Sequence, residues 1–482
     1  MNKIIIGAIL IITLFSCNQN SADKTADNLE NKSSESSNPS NLKEKLKHSR
    51  AVEAALWGMP VVASDAIRQG YLNLGAQYND IVYFSKPADW KFQTTTPNAS
   101  THYIYSAYST KKDGPIVLEV PAAVDAGIYG QLCDMWDVPL AIVGGGGDDK
   151  GKGGKYLILP PDYTGTIPAG YFPVRQNTYG GFWLLRTIPK SNSKADQDLA
   201  IALLKKIRLY PLSKTVSPPE QRFIDVSGKL WEGYPKMDET FYTILAKMVN
   251  EETIIPRDMA MMNILRSIGI EKGKEFKPDE ATTAIFKSAI KETNDYINIL
   301  LDETLVPYFW ENTHWSIPTS TNFKTEFSFQ DTNMLDYDAR ALANFVAWAP
   351  PKKADKSAPT IYILSYNDKS GAPLAGGKTY KLHVPANVPA KQYWSVTVYD
   401  YSNACFIKEA PVISLDSYNN KTKKNQDGSV DIYFSPNAPK GQENNWVATG
   451  KDGRWFVFFR LYGPDKAFFD KSWKMTDIEE VK

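Results

Sequence analysis

A segment of eight residues, YWSVTVYD at positions 393–400, decides the fold class of this chain. Its residues alternate in character, as they must in a β-strand, because successive side chains point to opposite faces of a sheet. One face carries apolar residues and an aspartate: Trp394, Val396, Val398 and Asp400. The other face carries hydroxyl-bearing residues: Tyr393, Ser395, Thr397 and Tyr399. An aspartate in line with Trp and Val side chains is costly to bury alone.

A second segment near the C-terminus, FVFFRLY at 456–462, has the same character. Arg460 shares a strand face with Phe456, Phe458 and Tyr462. Two strands therefore each carry one charge on an otherwise apolar or aromatic face. Two explanations stay open: a buried ion pair that stabilises the fold, or an arginine at the mouth of a cavity that binds a ligand.

The N-terminal half repeats this arrangement. Asp134 is in line with Leu132 on one candidate strand, and Arg186 is in line with Leu184 on another. His102 precedes a tyrosine-rich strand, where a histidine can act as a general base near neutral pH. A hydrogen-bonded or solvated histidine with no chemical role is the alternative.

Short strands with turn signals precede and follow a helical region. The candidates before it are 103–108, 116–120, 128–135, 156–159 and 182–188, and those after it are 361–366, 378–385, 393–401, 429–434 and 455–462. Helical spacing dominates 195–310, including a stripe of Ile201, Leu204 and Leu209. A helix over about 43–76 is expected to be interrupted at Pro60.

This order predicts a mainly β fold with α, in which two β-sandwich or jelly-roll-like domains are joined by a helical insertion. The expected boundaries are 45–192 for the N-terminal β-rich domain, 193–334 for the helical region and 335–482 for the C-terminal β-sandwich.

Composition excludes some classes of function. Lys and Arg total 55 against 54 Asp and Glu, so the near-neutral chain lacks the charge excess of a nucleic-acid binder. With 4 His and 3 Cys, no metal site and no cofactor are predicted. Cys133 and Cys405 fall in different expected domains, which favours two buried free thiols over a disulfide.

The first residues are typical of a leader. Lys3 precedes an apolar run at 4–15, too short to cross a bilayer, and the segment LFSC at 14–17 resembles a bacterial lipobox. That resemblance implies cleavage after residue 16, lipid on Cys17 and attachment to a membrane of the cell envelope, expected to be the outer membrane, on its periplasmic or surface face. An ordinary secretory signal with a chance cysteine is the alternative. Residues 17–44 are polar and are expected to form a disordered tether.

The residues around these strands resemble a bacterial two-domain family built from domains of unknown function 1254 and 1214. The C-terminal resemblance rests on four motifs in order: GGKTY at 376–380, YWSVTVYD at 393–400, NW at 445–446 and FRLYGP at 459–464. The N-terminal resemblance rests on Asn98, Thr101 and Tyr105, on CDMW at 133–136 and on Arg186-Thr187. Ser100 replaces the aspartate of the family's pattern, which leaves no carboxylate there.

The resemblance implies exported or lipid-anchored proteins, some of which are labelled hydrolases. One hypothesis is therefore a hydrolase acting on a small or lipid-like substrate in an aromatic-lined cleft, with His102 and Asp134 as acid–base residues. Eight residues are candidates for substrate binding: Asn98, Thr101, Trp136, Arg186, Trp394, Asp400, Arg460 and Tyr462. The alternative is a lipoprotein that binds a sugar or amphiphile without chemistry, through stacking on Trp136, Trp183 and Trp394.

Overall fold

The computed structural model describes residues 39–99, 101–191, 193–317, 327–350 and 360–481. The expected leader, Cys17, most of the tether and Ser100 lie outside these residues. By its internal contacts the chain divides into two units, Met1–Leu46 and Lys47–Lys482. Within the described ranges, no helix combines the length and the apolar character needed to cross a membrane.

The first element is a long helix, α1 (Pro39–Asn73), so the boundary expected at residue 44 falls inside a helix. Its central residues are buried on every side, which is typical of a helix enclosed by other elements. Pro60 lies within α1 and does not end it, so the expected interruption is wrong. A proline costs one helical hydrogen bond, and the complete burial of Met59 and Val62 around it offsets that loss.

Two main sheets form the N-terminal sandwich. Their strands, with a two-stranded accessory pair, are β1 (Ile81–Tyr83), β2 (Phe92–Thr94), β3 (His102–Ser109), β4 (Ile116–Val120), β5 (Gly127–Asp134), β6 (Pro139–Gly144), β7 (Gly154–Leu159), β8 (Tyr171–Arg175), β9 (Gly180–Ile188), β10 (Arg208–Pro211), β11 (Phe223–Asp225) and β12 (Trp231–Gly233). The six-stranded sheet has the order β11-β1-β3-β9-β5-β6 and the four-stranded sheet β10-β4-β7-β8, while β12 pairs with β2. A short helix, α2 (Thr110–Asp113), follows β3. Ile104, Leu118 and Trp183 are completely buried in the core between the two main sheets.

Helices dominate the middle of the chain. They are α3 (Lys194–Leu204), α4 (Thr240–Glu251), α5 (Met259–Ser267), α6 (Glu280–Thr304) and α7 (Tyr337–Val346). The prediction that Leu209 continues a helical stripe is wrong, because α3 ends at Leu204 and Leu209 pairs with Leu118 in an antiparallel ladder. An apolar residue at that spacing fits either a helix or a strand, and the pairing with β4 makes it part of a strand.

Two four-stranded sheets form the C-terminal sandwich. Its strands are β13 (Thr360–Ser365), β14 (Tyr380–Val384), β15 (Trp394–Asp400), β16 (Ser414–Asp416), β17 (Val430–Ser435), β18 (Trp446–Ala448), β19 (Trp455–Tyr462) and β20 (Ile478–Glu480), with the helix α8 (Lys466–Phe469) before the last. The sheet orders are β13-β19-β15-β16 and β18-β17-β14-β20. The predicted fold class, mainly β with α and two sandwiches, is confirmed.

A further apolar core joins the two sandwiches. It includes Tyr103 and Phe182 from the six-stranded sheet, Tyr399 and Phe458 from the β13-β19-β15-β16 sheet, and residues of α1 and α4 to α7. Cys133 and Cys405 are both buried free thiols, as the sequence predicted. The sheet faces that look into this shared core carry two of the candidate functional residues, Arg186 and Arg460.

Candidate functional site

Arg186 lies at the centre of a cross-strand row in the N-terminal sandwich. It pairs with Tyr103 on β3 and with Tyr129 on β5. Residues directly opposite each other in antiparallel strands project from the same face, so the guanidinium lies between two phenols. Its Cζ is 5.0 Å from the centre of the Tyr103 ring.

Arg460 occupies the corresponding place in the C-terminal sandwich. It pairs with Tyr362 on β13 and with Ser395 on β15. The guanidinium Cζ is 4.9 Å from the centre of the Tyr362 ring and 5.5 Å from that of Tyr399. The side chain of Arg460 is completely enclosed.

The two rows meet at Tyr362. The charges of both Arg186 and Arg460 act on its phenol, and the Arg460 guanidinium lies over its ring. Burial alone raises the pKa of this phenol, but the two cations outweigh burial and lower the pKa below its ordinary value. We call this set of residues the arginine–tyrosine cluster: Tyr103, Tyr129, Arg186, Tyr362, Ser395, Tyr399, Arg460 and Tyr462.

The hydrogen bonds of Arg460 are incomplete. Its Nη2 donates to the Tyr399 hydroxyl at 2.5 Å and to the Thr96 carbonyl at 3.2 Å. Its Nε and Nη1 are buried and have no hydrogen-bond partner within the described ranges, and neither has Oγ of the neighbouring Ser395. Unsatisfied buried donors carry a desolvation cost of about 1–3 kcal/mol each, more when the group is charged.

Among the residues that the structure describes, no carboxylate forms an ion pair with either arginine of the cluster. Within the described parts of the chain, the ion pairs made by arginines involve Arg68, Arg222 and Arg257. Burial disfavours the charged forms of Arg186 and Arg460, but neighbouring tyrosine hydroxyls outweigh burial and raise the pKa of both groups. Both guanidinium groups therefore stay charged, with phenols rather than carboxylates around them.

A loop from the N-terminal sandwich covers part of the cluster. Tyr399 donates a hydrogen bond to the Pro97 carbonyl at 2.6 Å, and Nδ2 of Asn98 donates to the hydroxyl of Tyr462. The Asn98 backbone N–H donates to the Tyr103 hydroxyl at 2.9 Å. Asn98 and Tyr462, both predicted from the sequence, therefore lie at the cluster. Thr101 follows in the same segment, and its Oγ1 is buried without a partner.

His102 points away from the cluster. Its Nδ1 lies 2.8 Å from the Phe84 carbonyl oxygen, and its Nε2 contacts Oε1 of Gln197. His102 pairs with Thr187 on β9, one residue along from Arg186, and successive residues face opposite sides of a strand.

The expected acid–base pair is not brought together. Asp134 pairs with Gly181 on β9, six residues from the partner of His102, which separates the pair by roughly 20 Å at about 3.3 Å per residue. Asp134 instead accepts hydrogen bonds from the backbone N–H groups of Trp136 at 2.9 Å and Val138 at 3.1 Å. Burial raises the pKa of Asp134 to about 6, although these two bonds oppose it. Both side chains are engaged in holding backbone and neighbours in place.

The remaining three predicted residues also lie outside the cluster. Trp136 packs edge-on against Trp57 at 4.8 Å, with the Arg340 guanidinium 5.0 Å from its ring centre. Trp394 stacks on Phe459 in the C-terminal core, on the opposite sheet face from Arg460. Asp400 is at the end of β15, where it accepts hydrogen bonds from N and Oγ of Ser402 at 2.8 and 2.7 Å. The ion pair considered between Asp400 and Arg460 is therefore not formed.

Sequence reasoning missed Tyr362, the residue that links the two arginines. Tyr362 alternates with Ile361 and Ile363 on β13, and this pattern is visible in the sequence. The hydroxyl-bearing face of β15, with Ser395 and Tyr399, was also visible. What the sequence does not give is the pairing of β13 and β15 with β19, which places both residues beside Arg460.

An open cleft of about 610 Å³ lies elsewhere, on the outer sheet of the C-terminal sandwich. Its lining residues are all polar, and its carboxylates are engaged: Asp431 with His383 at 2.7 Å and Asp477 with His314 at 2.8 Å. The other two carboxylates of the cleft are engaged as well, Asp427 with Ser429 and Glu479 with Lys369. The unpaired charges of Arg186 and Arg460 make the cluster the better candidate.

Comparison with known protein families divides the chain in the same way as its architecture. Residues 78–211 match the model of a protein of unknown function (DUF1254), and residues 359–466 match that of a second protein of unknown function (DUF1214). The chain therefore belongs to the proteins that carry a DUF1254 region followed by a DUF1214 region. Arg186 lies in the first matched region and Arg460 in the second.

Two solved structures align with most of this chain at low sequence identity. The VPA0106 protein from Vibrio parahaemolyticus aligns with 18% identity and a TM-score of 0.54, over 90% of this chain and 100% of its own. An uncharacterised protein from Burkholderia cenocepacia aligns over 92% of this chain and 96% of its own, with 10% identity and a TM-score of 0.38. No curated protein sequence matches the chain. The likeness to the Vibrio protein concerns the fold alone.

Proposed function

We propose that this protein binds a small molecule through an anionic group at the arginine–tyrosine cluster. The observation that carries the proposal is the pair of guanidinium groups of Arg186 and Arg460, which face one phenol with no carboxylate partner in the described residues. A buried charge without a counter-ion is expensive. An anionic ligand would supply the missing charge and accept the free N–H groups of Arg460.

Access is available on one side of the cluster. Tyr129, Arg186 and Tyr362 are partly exposed, whereas Arg460 and Ser395 lie deeper and are enclosed. A ligand would therefore meet Arg186 first and reach Arg460 behind Tyr362. The partly exposed ring of Tyr129 offers flat apolar surface beside the charge, which suits an amphiphile with a charged head group.

Titration calorimetry on the full chain tests this proposal. A panel of small carboxylates and phosphates is compared with neutral amides of the same size, in the wild type and in Arg186→Gln. We expect the wild type to bind anions and not amides, and the variant to lose at least tenfold in affinity. Arg454→Gln is the matched control, because its guanidinium also stacks on a tyrosine, 3.9 Å from the Tyr401 ring centre, outside the cluster. Equal binding of amides and acids would refute an anion site.

Hydrolysis is a second candidate function, and Tyr362 is the feature that favours it. A phenol with a lowered pKa between two cations can accept a proton. The oxygen of water would attack the carbonyl carbon of an ester as its proton passes to Tyr362. When the carbon–oxygen bond breaks, that proton moves to the departing alkoxide oxygen, and Arg460 stabilises the oxyanion formed in between.

An ester panel with purified protein tests this second candidate. We expect Tyr362→Phe to lose about 100-fold or more in turnover, the lower range for loss of acid–base catalysis. Tyr105→Phe is the control, because its hydroxyl group is buried without any partner. If turnover is the same in all three proteins, Tyr362 has no catalytic role.

The cellular setting is also a proposal. Lys3, the apolar run at 4–15 and the LFSC segment support export and attachment of the chain to the cell envelope through lipid on Cys17. Mass spectrometry of the N-terminal peptide from cells tests this directly. We expect a lipidated Cys17 in the wild type and release of Cys17→Ser from the membrane fraction, whereas an unmodified cysteine would contradict the proposal.

A further inference from the structure

We propose that the group bound by the cluster is a doubly charged tetrahedral oxyanion, such as a phosphoryl or sulfate group, rather than a carboxylate. This inference rests on the anion-binding function proposed above and names the chemical class of its ligand. Three features carry it: the number of cations, their proximity and the number of free donors.

The number of cations sets the charge of the ligand. Arg186 and Arg460 are arginines, which stay protonated in proteins; Arg460 is enclosed and Arg186 is partly exposed. A monoanion would neutralise one of them and leave a net positive charge out of water. A dianion neutralises both, and that difference favours it in a low-dielectric site.

The proximity of the cations indicates one head group rather than two. The charges of both guanidinium groups act on Tyr362, and the Arg460 guanidinium lies over its ring. One loop also links the surroundings of the two cations: Tyr399, which accepts from Arg460, donates to the Pro97 carbonyl, and the next residue, Asn98, donates to the Tyr103 hydroxyl beside Arg186. One phosphoryl or sulfate group at this loop would serve both cations, whereas the two carboxylates of an extended diacid are spread further apart.

The free donors indicate a ligand with more than two acceptor oxygens. Nε and Nη1 of Arg460 and Oγ of Ser395 are buried without partners on adjacent strands of one sheet face. The exposed side of Arg186 adds a planar set of N–H groups suited to bidentate contact with an oxyanion. A carboxylate has two oxygens and leaves part of this set unsatisfied, whereas a tetrahedral oxyanion presents three or more.

The pH dependence of binding distinguishes recognition of the ligand's charge from recognition of its shape. A phosphate monoester loses its second negative charge as the pH falls through about 6, and inorganic phosphate does so about one unit higher. Sulfate keeps both charges over the same range. If charge matching controls binding, phosphate affinity falls on acidification while sulfate affinity does not.

The experiment is titration calorimetry of the full chain with inorganic phosphate, sulfate, succinate and acetate, each at about pH 7.5 and about pH 5, on either side of the phosphate pKa. At the higher pH we expect phosphate and sulfate to bind at least tenfold more tightly than succinate and acetate. At the lower pH we expect phosphate to weaken about tenfold and sulfate to change by less than twofold. Arg454→Gln should behave as the wild type.

Arg186→Gln keeps the test decisive, because Arg186 is partly exposed and its loss leaves Arg460 and its contacts in place. With one cation removed, we expect the preference for sulfate over acetate to fall at least tenfold. Succinate or acetate binding as tightly as phosphate would overturn the tetrahedral assignment while leaving anion binding intact. If none of the four anions binds, both the assignment and the proposed function are refuted.

Discussion

Arg460 and Tyr362 are directly opposed on neighbouring antiparallel strands, with the guanidinium carbon 4.9 Å from the centre of the phenol ring. The charge of Arg186, from the other sandwich, acts on the same phenol. Each sandwich thus contributes one cation to the surroundings of Tyr362. The electrostatic consequences of this contact can be measured on the protein without any ligand.

Tyr362 is expected to ionise below the ordinary tyrosine value of about 10, because two cations favour its phenolate. Ultraviolet absorbance of the phenolate, followed against pH, should show an early titrating tyrosine that disappears in Tyr362→Phe and shifts upward in Arg186→Gln. Folding lowers the pKa of Tyr362, so its ionisation stabilises the folded state. This stabilisation is complete when the pH is above the ordinary tyrosine pKa, and it is lost as the pH falls through the pKa of Tyr362 in the folded state. An unchanged titration curve in Tyr362→Phe would contradict this assignment.

The hydroxyl group of Tyr399 is expected to stabilise the folded protein more than the hydroxyl group of the equally buried Tyr105. Tyr399→Phe removes one of the two acceptors of Arg460 and the bond to the Pro97 carbonyl, so we expect a loss of about 1–3 kcal/mol in the free energy of unfolding. Tyr105→Phe removes a hydroxyl group with no partner and should leave stability unchanged or raise it. Denaturant titrations of the two variants provide the comparison, and equal losses would show that the bonds of Tyr399 contribute nothing.

Asp134 is expected to make the fold less stable as the pH rises through its raised pKa of about 6. Burial raises this pKa, so the folded state holds a proton that the unfolded state releases near pH 4. The stabilising effect of that proton is complete below about 4 and is lost as the pH approaches and passes 6. Asp134→Asn keeps an acceptor for Trp136 and Val138 without the charge.

The free energy of unfolding should therefore vary less between about pH 4 and 6 in Asp134→Asn than in the wild type, and near neutrality the variant should be the more stable protein. Urea titrations at several pH values measure both effects. A variant with the same pH dependence as the wild type would show that Asp134 does not carry the raised pKa.

Gly130 is expected to be irreplaceable in the six-stranded sheet. A Cβ added there would lie 2.1 Å from the Leu184 carbonyl oxygen, which is backbone and cannot rotate away. Gly130→Ala should cost about 1–3 kcal/mol, as overpacking of a filled core does. Gly146→Ala is the control, since its Cβ would meet nothing within 4 Å. Thermal denaturation of the two variants measures the difference in stability. A Gly130→Ala variant as stable as Gly146→Ala would refute the expectation.

Strand positions could be predicted well from the sequence, because alternation and turn residues are local signals. The segment at 393–400 became β15 at Trp394–Asp400, and the one at 456–462 lies within β19. Alternation also placed Arg460 on the face of Phe458 and Tyr462. Local signals were insufficient at Pro60, where the surrounding core decides whether the helix continues, and at Leu209, where pairing with β4 decides.

The candidate site could be predicted only in part. The charged and polar groups that stand out among aromatic residues in the sequence include four that lie at the cluster: Asn98, Arg186, Arg460 and Tyr462. The chemistry of His102 and Asp134 predicts an acid–base pair, but strand register places them at opposite ends of one sheet face. Register and the contact between two distant sandwiches depend on long-range packing, which a single sequence does not encode in any local pattern.

The short strands β11 and β12 belong by sequence to the middle of the chain but by pairing to the N-terminal sheets, where they run parallel to β1 and β2. A recombinant fragment ending at residue 211, the limit of the first family match, would strip the outer neighbour from β1 and leave a bare hydrogen-bonding edge. Such an edge recruits strands from other molecules. A fragment of the N-terminal half should therefore extend at least through Gly233. A fragment that ends before β11 is expected to aggregate.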